Sequence, residues 1–436
     1  MILQLNHSLF NIVSAAEYRP LAAAAGIGSI LGSGIIVGLS ATITVWQKGL
    51  ALTNGQVGVI SAALTFAIAI GGFLSGSVSK AFGLIRSFNW TNFFYALGTL
   101  ICVFTPNYLV LLLGVIITGL ASGIDLPLSL TVISHDAPNE KVSSSLVSST
   151  QIYWQIGIFI SYICSFIVSK MAGATGARVV FGILTIIAAV TWLWRTNSAK
   201  FKKFHADGDQ FRAAEEHKTD TKLSSSSAMK VLFSGEGKSR YLGLFLGIFI
   251  FYIFWNLLAN TFGQFQTFTL VQAHASQTFA TGAGIVLNFV GLAAVTAFSS
   301  VASSPKRNTF FVIGMIIQAA AMFGLAISSH DLWPIVIAIG CYNIGNNIAG
   351  EAIYKVWTQE SFPVETRASI QGFMNGFSRF ACGLFAFVTP SLVMPNVIRY
   401  TMFGFTALII IGFIAGLCVI ALEKSTVLSN NAQRSN

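Results

Sequence analysis

Amide side chains recur at helical spacing inside apolar stretches of this 436-residue chain. Asn256, Asn260 and Gln264 stand at i, i+4 and i+8, Gln151 and Gln155 at i, i+4, and Asn343, Asn346 and Asn347 lead to Glu351. Eight residues of α-helix rotate a side chain by only about 80°, so each set shares one face. An amide supplies two donors and a carbonyl acceptor, the complement of a ligand whose hydroxyls both donate and accept. Such groups are costly to leave in hydrocarbon, so the stripes are expected to face a wet cavity; hydrogen bonding between helices is the competing explanation.

Trp154 lies beside the first Gln pair and is expected to stack on a ring-shaped solute, whereas Trp255 is read as packing. Three ionisable residues, Asp125, Glu351 and Arg379, fall deep within apolar runs, where charge is expensive and usually functional. A dehydrated carboxyl at Asp125 or Glu351 could carry a proton. Glu351 could equally form an i, i+4 pair with Lys355. Arg379 could grip an anionic ligand bidentately or neutralise Glu351. Counted along the helices, Asp125 and Arg379 both approach the midplane of a bilayer.

Residues of this kind need long helices in lipid to position them. The chain is 54% hydrophobic and 9% charged, against roughly 25% charged in a soluble domain, which excludes a water-soluble fold. Polar breaks leave twelve runs long enough to cross a hydrocarbon core, near 21–46, 57–79, 87–105, 108–134, 143–168, 179–195, 241–262, 279–301, 309–328, 332–357, 369–390 and 400–422. The five cysteines all fall inside apolar runs without metal-ligand spacing, so neither a disulfide framework nor a metal site is expected, and nothing calls for a cofactor or an enzymatic nucleophile.

A charged, Ser-rich segment interrupts the pattern at 199–239 and is read as a cytoplasmic linker, with at most a short surface helix and no sustained apolar face. It separates an N-terminal half, 1–198, from a C-terminal half, 240–436, each with six spans. Two six-helix halves around a central cavity suit an alternating-access carrier. With the N-terminus inside, twenty Lys and Arg fall on the inner side and four outside (Lys48, Lys170, Arg178 and Arg399). That bias places both termini in the cytoplasm and assigns the +10 formal charge to membrane orientation rather than to nucleic acid.

Glu360-Ser-Phe-Pro-Val-Glu-Thr-Arg367, between spans ten and eleven, resembles the E-x-F-P-x-x-x-R signature of the sugar porter branch of the major facilitator superfamily. Gly114, Gly119, Gly123 and Pro127 keep the skeleton of its fourth span, and Gln151, Gly157 and Tyr162 match the Q-x5-G-x4-Y pattern of its fifth. Phe373-Met-Asn-Gly-Phe-Ser-Arg379 is similar to bacterial inositol-type porters. The departures are also specific: the loop after span two has Lys80, Leu84 and Ile85 where the family has an acid and two bases, and the P-E-S-P-R motif survives only as a trace around Arg195. The acid–base pair of proton-coupled members is replaced by Gly34 and Val115.

The resemblance implies an all-α fold of twelve transmembrane helices and a secondary transporter. The expected solute is myo-inositol or a monosaccharide, moved by proton symport across a bacterial inner membrane by a monomer. Sugar acids held by Arg379, or uniport without protons, are the alternatives. Glu360 and Arg367 are expected to pair as a cytoplasmic gate. Gln151, Trp154, Gln155, Asn256, Asn260, Gln264, Asn343 and Asn347 are the expected substrate residues, and Asp125, Glu351 and Arg379 the coupling or charge-pair residues.

Overall fold

The computed structural model describes residues 17–138, 140–216, 238–299, 306–327, 332–362, 364–394 and 396–434. Among them every regular element is helical. The first group comprises α1 (Arg19–Gly49), α2 (Asn54–Phe82), α3 (Leu84–Val103), α4 (Tyr108–Asp136), α5 (Glu140–Ile167), α6 (Thr175–Asn197) and α7 (Ala199–Glu216). The second comprises α8 (Lys238–Gln272), α9 (Gln277–Ser299), α10 (Arg307–Ile327), α11 (Leu332–Ile348), α12 (Glu351–Ser361), α13 (Val364–Leu392) and α14 (Ile398–Arg434). The chain divides into two compact units between Thr221 and Lys222.

Eight helices among the described residues (α1, α2, α4, α6, α8, α9, α10 and α14) are long and apolar enough to cross a bilayer by length and composition. The other four predicted spans are α3, α5, the α11–α12 pair and α13, which are shorter or carry more polar residues. Span ten is broken: α11 stops at Ile348 and α12 restarts at Glu351, with Gly350 between them at φ −139°, ψ −132°.

Glycines set how closely the helices of the first unit approach. A Cβ on Gly123 of α4 would lie 2.1 Å from the Ile68 carbonyl oxygen of α2, so the two backbones are in contact there. Such contact gives dispersion where lipid offers no hydrophobic drive between helices. The core of the second unit centres on Phe251, Phe311 and Trp357, whose rings meet edge to face at centroid distances of 5.0–5.5 Å.

Helix α7 departs from the expectation of a linker without an apolar face. Phe201, Phe204, His205 and Gly208, at i, i+3, i+4 and i+7, are buried. They pack with the start of α1 and the end of α4, and Phe204 stacks on Tyr18 at 4.7 Å. This segment therefore belongs to the first unit, and the described part of the linker is a docked helix.

Candidate functional site

In the first unit Asp125 is 3% exposed and meets a partner the sequence does not suggest. Arg195 Nη1 donates to Asp125 Oδ1 at 2.7 Å, and Nη2 reaches Oδ2 at 3.4 Å. Thr91 Oγ1 donates to Oδ1 at 2.7 Å and Ser129 Oγ to Oδ2 at 3.2 Å. The guanidinium also donates to the carbonyls of Phe88 (2.8 Å) and Ala24 (2.7 Å) and lies over the Phe88 ring at 3.8 Å. One charge pair thus ties α1, α3, α4 and α6: both carboxylate oxygens and both Nη groups find partners within the unit, while the buried Nε–H of Arg195 meets none among the described residues. Gly28 makes room for it, since a Cβ there would fall 2.0 Å from Asp125 Oδ2.

Asp125 sits nearer the helix ends than counting along α4 suggests. Phe88 and Ala24 are four and five residues from the starts of α3 and α1, about 6–8 Å at 1.5 Å per residue. Arg195 is in the last turn of α6. Helix α4 simply overshoots its neighbours, and the overshoot carries the surface on which α7 docks.

One turn along α1 from Gly28, Trp154 packs over Gly32, with Cζ3 3.2 Å from where a Cβ would stand, and its carbonyl accepts from Ser33 Oγ at 2.8 Å. Trp154 and Gln155 are half-buried; the Gln151 side chain lies outside the described residues.

In the second unit the amides belong to a denser polar and aromatic cluster. Tyr252 stacks on Tyr354 of α12 at 3.8 Å and on Trp255 at 5.7 Å, and its hydroxyl donates to Asn375 Oδ1 on α13. Asn256 Nδ2 donates to Ser378 Oγ at 2.7 Å, and Gln264 Nε2 to Asn260 Oδ1 at 3.1 Å. On α11, Asn347 Nδ2 donates to the Asn343 carbonyl at 2.8 Å, and Tyr342 donates to Asn346 Oδ1 at 3.3 Å. Gly350 lies against the Trp255 indole, where a Cβ would be 2.6 Å from Nε1. That Nε1–H is buried and meets no hydrogen-bond partner among the described residues.

Two of the deep charged residues lie near this cluster. Glu351 pairs with Lys355 at 2.9 Å, both side chains half exposed. Glu351 and Arg379 are each within electrostatic reach of the Tyr252 hydroxyl. Glu360 accepts from Arg307 through Nη1 at 2.6 Å and through Nη2, and Arg307 lies 3.8 Å from Glu423. The Arg367 side chain lies outside the described residues.

Residues 22–386 match the family model described as Major Facilitator Superfamily. The chain belongs to that superfamily. It is accordingly a multi-pass membrane transporter of twelve transmembrane helices in two six-helix halves, with α11 and α12 together forming the tenth span. It is 28% identical over 415 residues to the minor myo-inositol transporter IolF of Bacillus subtilis, covering 94% of this chain and 90% of the relative. Among solved structures it is similar to a D-xylose–proton symporter (TM-score 0.73, 17% identity, 91% and 96% of the two chains). It is also similar to the inward-open xylose transporter XylE from E. coli (TM-score 0.70, 16% identity, 92% and 95%).

In this member of the superfamily, apolar packing occupies the two positions that the resemblance assigns to the acid–base pair. Val115 is fully buried, and a Cβ on Gly34 would touch Leu184 at 2.9 Å. Several residues of the cluster could have been read from the sequence: Asn375, Ser378 and Arg379 stand on one stripe of α13, and Tyr252 precedes Asn256 by one turn. Arg195 carried no such signal, because an arginine at the end of an apolar run reads as a side chain snorkelling to the interface.

Proposed function

We propose that this transporter moves a small polyhydroxylated solute, myo-inositol or a monosaccharide, by proton symport and alternating access across a bacterial inner membrane. It works as a monomer with both termini and α7 in the cytoplasm. The observation that carries the reading is the cluster of Tyr252, Trp255, Asn256, Asn375 and Ser378 beside the Gly350 break. Stacked aromatic faces, amides and hydroxyls complement a ring bearing hydroxyls on its edge and C–H groups on its faces. The myo-inositol transporter relative supports the solute class, and the twenty-to-four distribution of basic residues supports the orientation. Gln151, Trp154, Gln155, Asn260, Gln264, Asn343 and Asn347 are the further residues proposed for solute binding.

Of the three deep charges, Asp125 is assigned to a structural pair, because its partners are all supplied by its own unit. Glu351 is assigned to proton coupling. It is the deep carboxylate left half exposed and close to the aromatic cluster.

Trp255→Phe preserves the ring stack and removes one N–H. Loss of a single hydrogen bond, about 1 kcal/mol, should weaken apparent solute affinity roughly fivefold with little change in maximal rate. Unaltered affinity would return Trp255 to packing.

The reading is tested by uptake of labelled myo-inositol into proteoliposomes, with and without an inward proton gradient, against unlabelled glucose, xylose and gluconate. Saturable uptake displaced by neutral competitors is expected. Displacement by gluconate alone would instead support sugar-acid transport, with Arg379 beside Tyr252 as the carboxylate ligand.

A further inference from the structure

Where α7 lies against the ends of α1 and α4, two histidines share one buried carboxylate. Asp136 is completely buried; His135 Nδ1 lies 2.8 Å from its Oδ1 and His205 Nδ1 2.6 Å from its Oδ2. An ionised carboxylate only accepts, so both Nδ1 atoms must carry hydrogen. The rings differ at the other nitrogen. His135 Nε2 is 3.2 Å from Oδ1 of a second carboxylate, Asp209 on α7. His205 Nε2 is buried and meets no hydrogen-bond partner among the described residues.

That difference assigns the protons. A neutral His135 with hydrogen on Nδ1 would point a lone pair at Asp209, so only the imidazolium satisfies both carboxylates at once. A proton on His205 Nε2 would be a buried N–H without an acceptor, which is costly. His205 therefore anchors α7 through the Nδ1–H on Asp136 Oδ2, with no second carboxylate at Nε2 for a proton to bridge.

We propose that His135 is a proton-operated fastener for α7, which docks more tightly when the imidazole carries hydrogen on both ring nitrogens, as lower pH favours, than when it carries hydrogen on one. The groups around it leave the sign unchanged. Glu17 and Tyr18 face the cluster from the start of α1, and Lys203, Asp207 and Asp209 from α7, with Lys203 4.0 Å from Glu17. Exposed Arg86 stands near the start of α3, and the side chains of Glu140 and Lys141 at the start of α5 lie outside the described residues. Burial, together with Asp207, Glu17 and Asp136, holds the Tyr18 phenol above its usual range, so it contributes no charge near neutrality. Because the Asp209 side chain is 76% exposed, the change in docking should be modest, about fivefold at most. On the orientation proposed above, the pH being read is that of the cytoplasm.

Amide hydrogen exchange of the full-length protein in nanodiscs, followed over 199–216 between about pH 5.5 and 8.5 and corrected for intrinsic exchange, tests this directly. Protection of α7 should fall about fivefold across that range, while the interior of α4 stays unchanged. His135→Asn keeps a donor near the Nδ1 position, lacks Nε2 and should abolish the pH dependence. Asp209→Asn should abolish it too, since an amide can donate to neutral Nε2 or accept from the charged ring. His205→Asn should retain it. A pH-independent wild type, or a slope that survives in His135→Asn or in Asp209→Asn, would overturn the proposal. Asp209, being exposed, keeps the test decisive if the His135 variant fails to fold. Exchange is read without any solute, so failure of the sugar assignment would leave this result standing, and the reverse.

Discussion

Replacing Arg195 by Met should destabilise the first unit by about 3–5 kcal/mol, because it strands a buried carboxylate in the middle of a four-helix junction. In detergent this should lower the apparent melting temperature by roughly 10 °C, using about 2–4 °C per kcal/mol for a unit of this size. Asp125→Leu should be comparably harmful, leaving the guanidinium uncompensated between the Phe88 and Ala24 carbonyls. The double variant, Asp125→Leu with Arg195→Met, separates the charge pair from its surroundings. With neither charge left to desolvate, it should recover much of the loss of either single variant. Strictly additive melting shifts would mean that the two side chains do not act as a pair. The Thr91 and Ser129 hydroxyls would keep acceptors on their own helices, as Thr91 already does with the Phe88 carbonyl at 3.1 Å, so the recovery should be incomplete rather than absent.

Glu351→Gln should abolish accumulation while leaving exchange intact. If one proton accompanies each solute molecule, a gradient of one pH unit can support about tenfold accumulation, since one unit is 1.36 kcal/mol. Gln preserves the shape of the side chain and can still accept from Lys355, so the first turn of α12 should persist. Labelled solute should then equilibrate across proteoliposome membranes, and counterflow should continue at a rate near that of the wild type. Accumulation equal to the wild type would reassign Glu351 to an ion pair along its own helix, worth well under about 1 kcal/mol at its exposure. A wild type that never accumulates would make the protein a uniporter, consistent with the apolar packing at Gly34 and Val115.

These two carboxylates show how unevenly the site could be read. Asp125 and Glu351 look alike in the sequence, each an acid in an apolar run that could carry a proton or pair with a base. The i, i+4 relation of Glu351 to Lys355 is local and visible without a structure. The partner of Asp125 is 70 residues away, and no periodicity links the two. The same holds for Glu360 and Arg307, which holds it from another helix with no periodicity to link the two. Helix α7 falls between these cases: Phe201, Phe204 and Gly208 stand at helical spacing, yet so short a stripe among charges carries little weight until the end of α4 is seen against it.

The sequence by itself determined the twelve spans, their six-plus-six division, the uneven distribution of basic residues and the helices that carry the amides. In hydrocarbon each backbone polar group must be satisfied within its own helix, so span length and apolarity are local properties. Only the tertiary structure decided the Asp125–Arg195 pair, the stacking of Tyr252 on Tyr354, the break at Gly350 beside Trp255, and the two histidines on Asp136. Each depends on how far one helix is turned and slid against the next. That offset is set by close contacts at residues such as Gly28, Gly123 and Gly350, whose lack of a side chain says that something approaches without saying what.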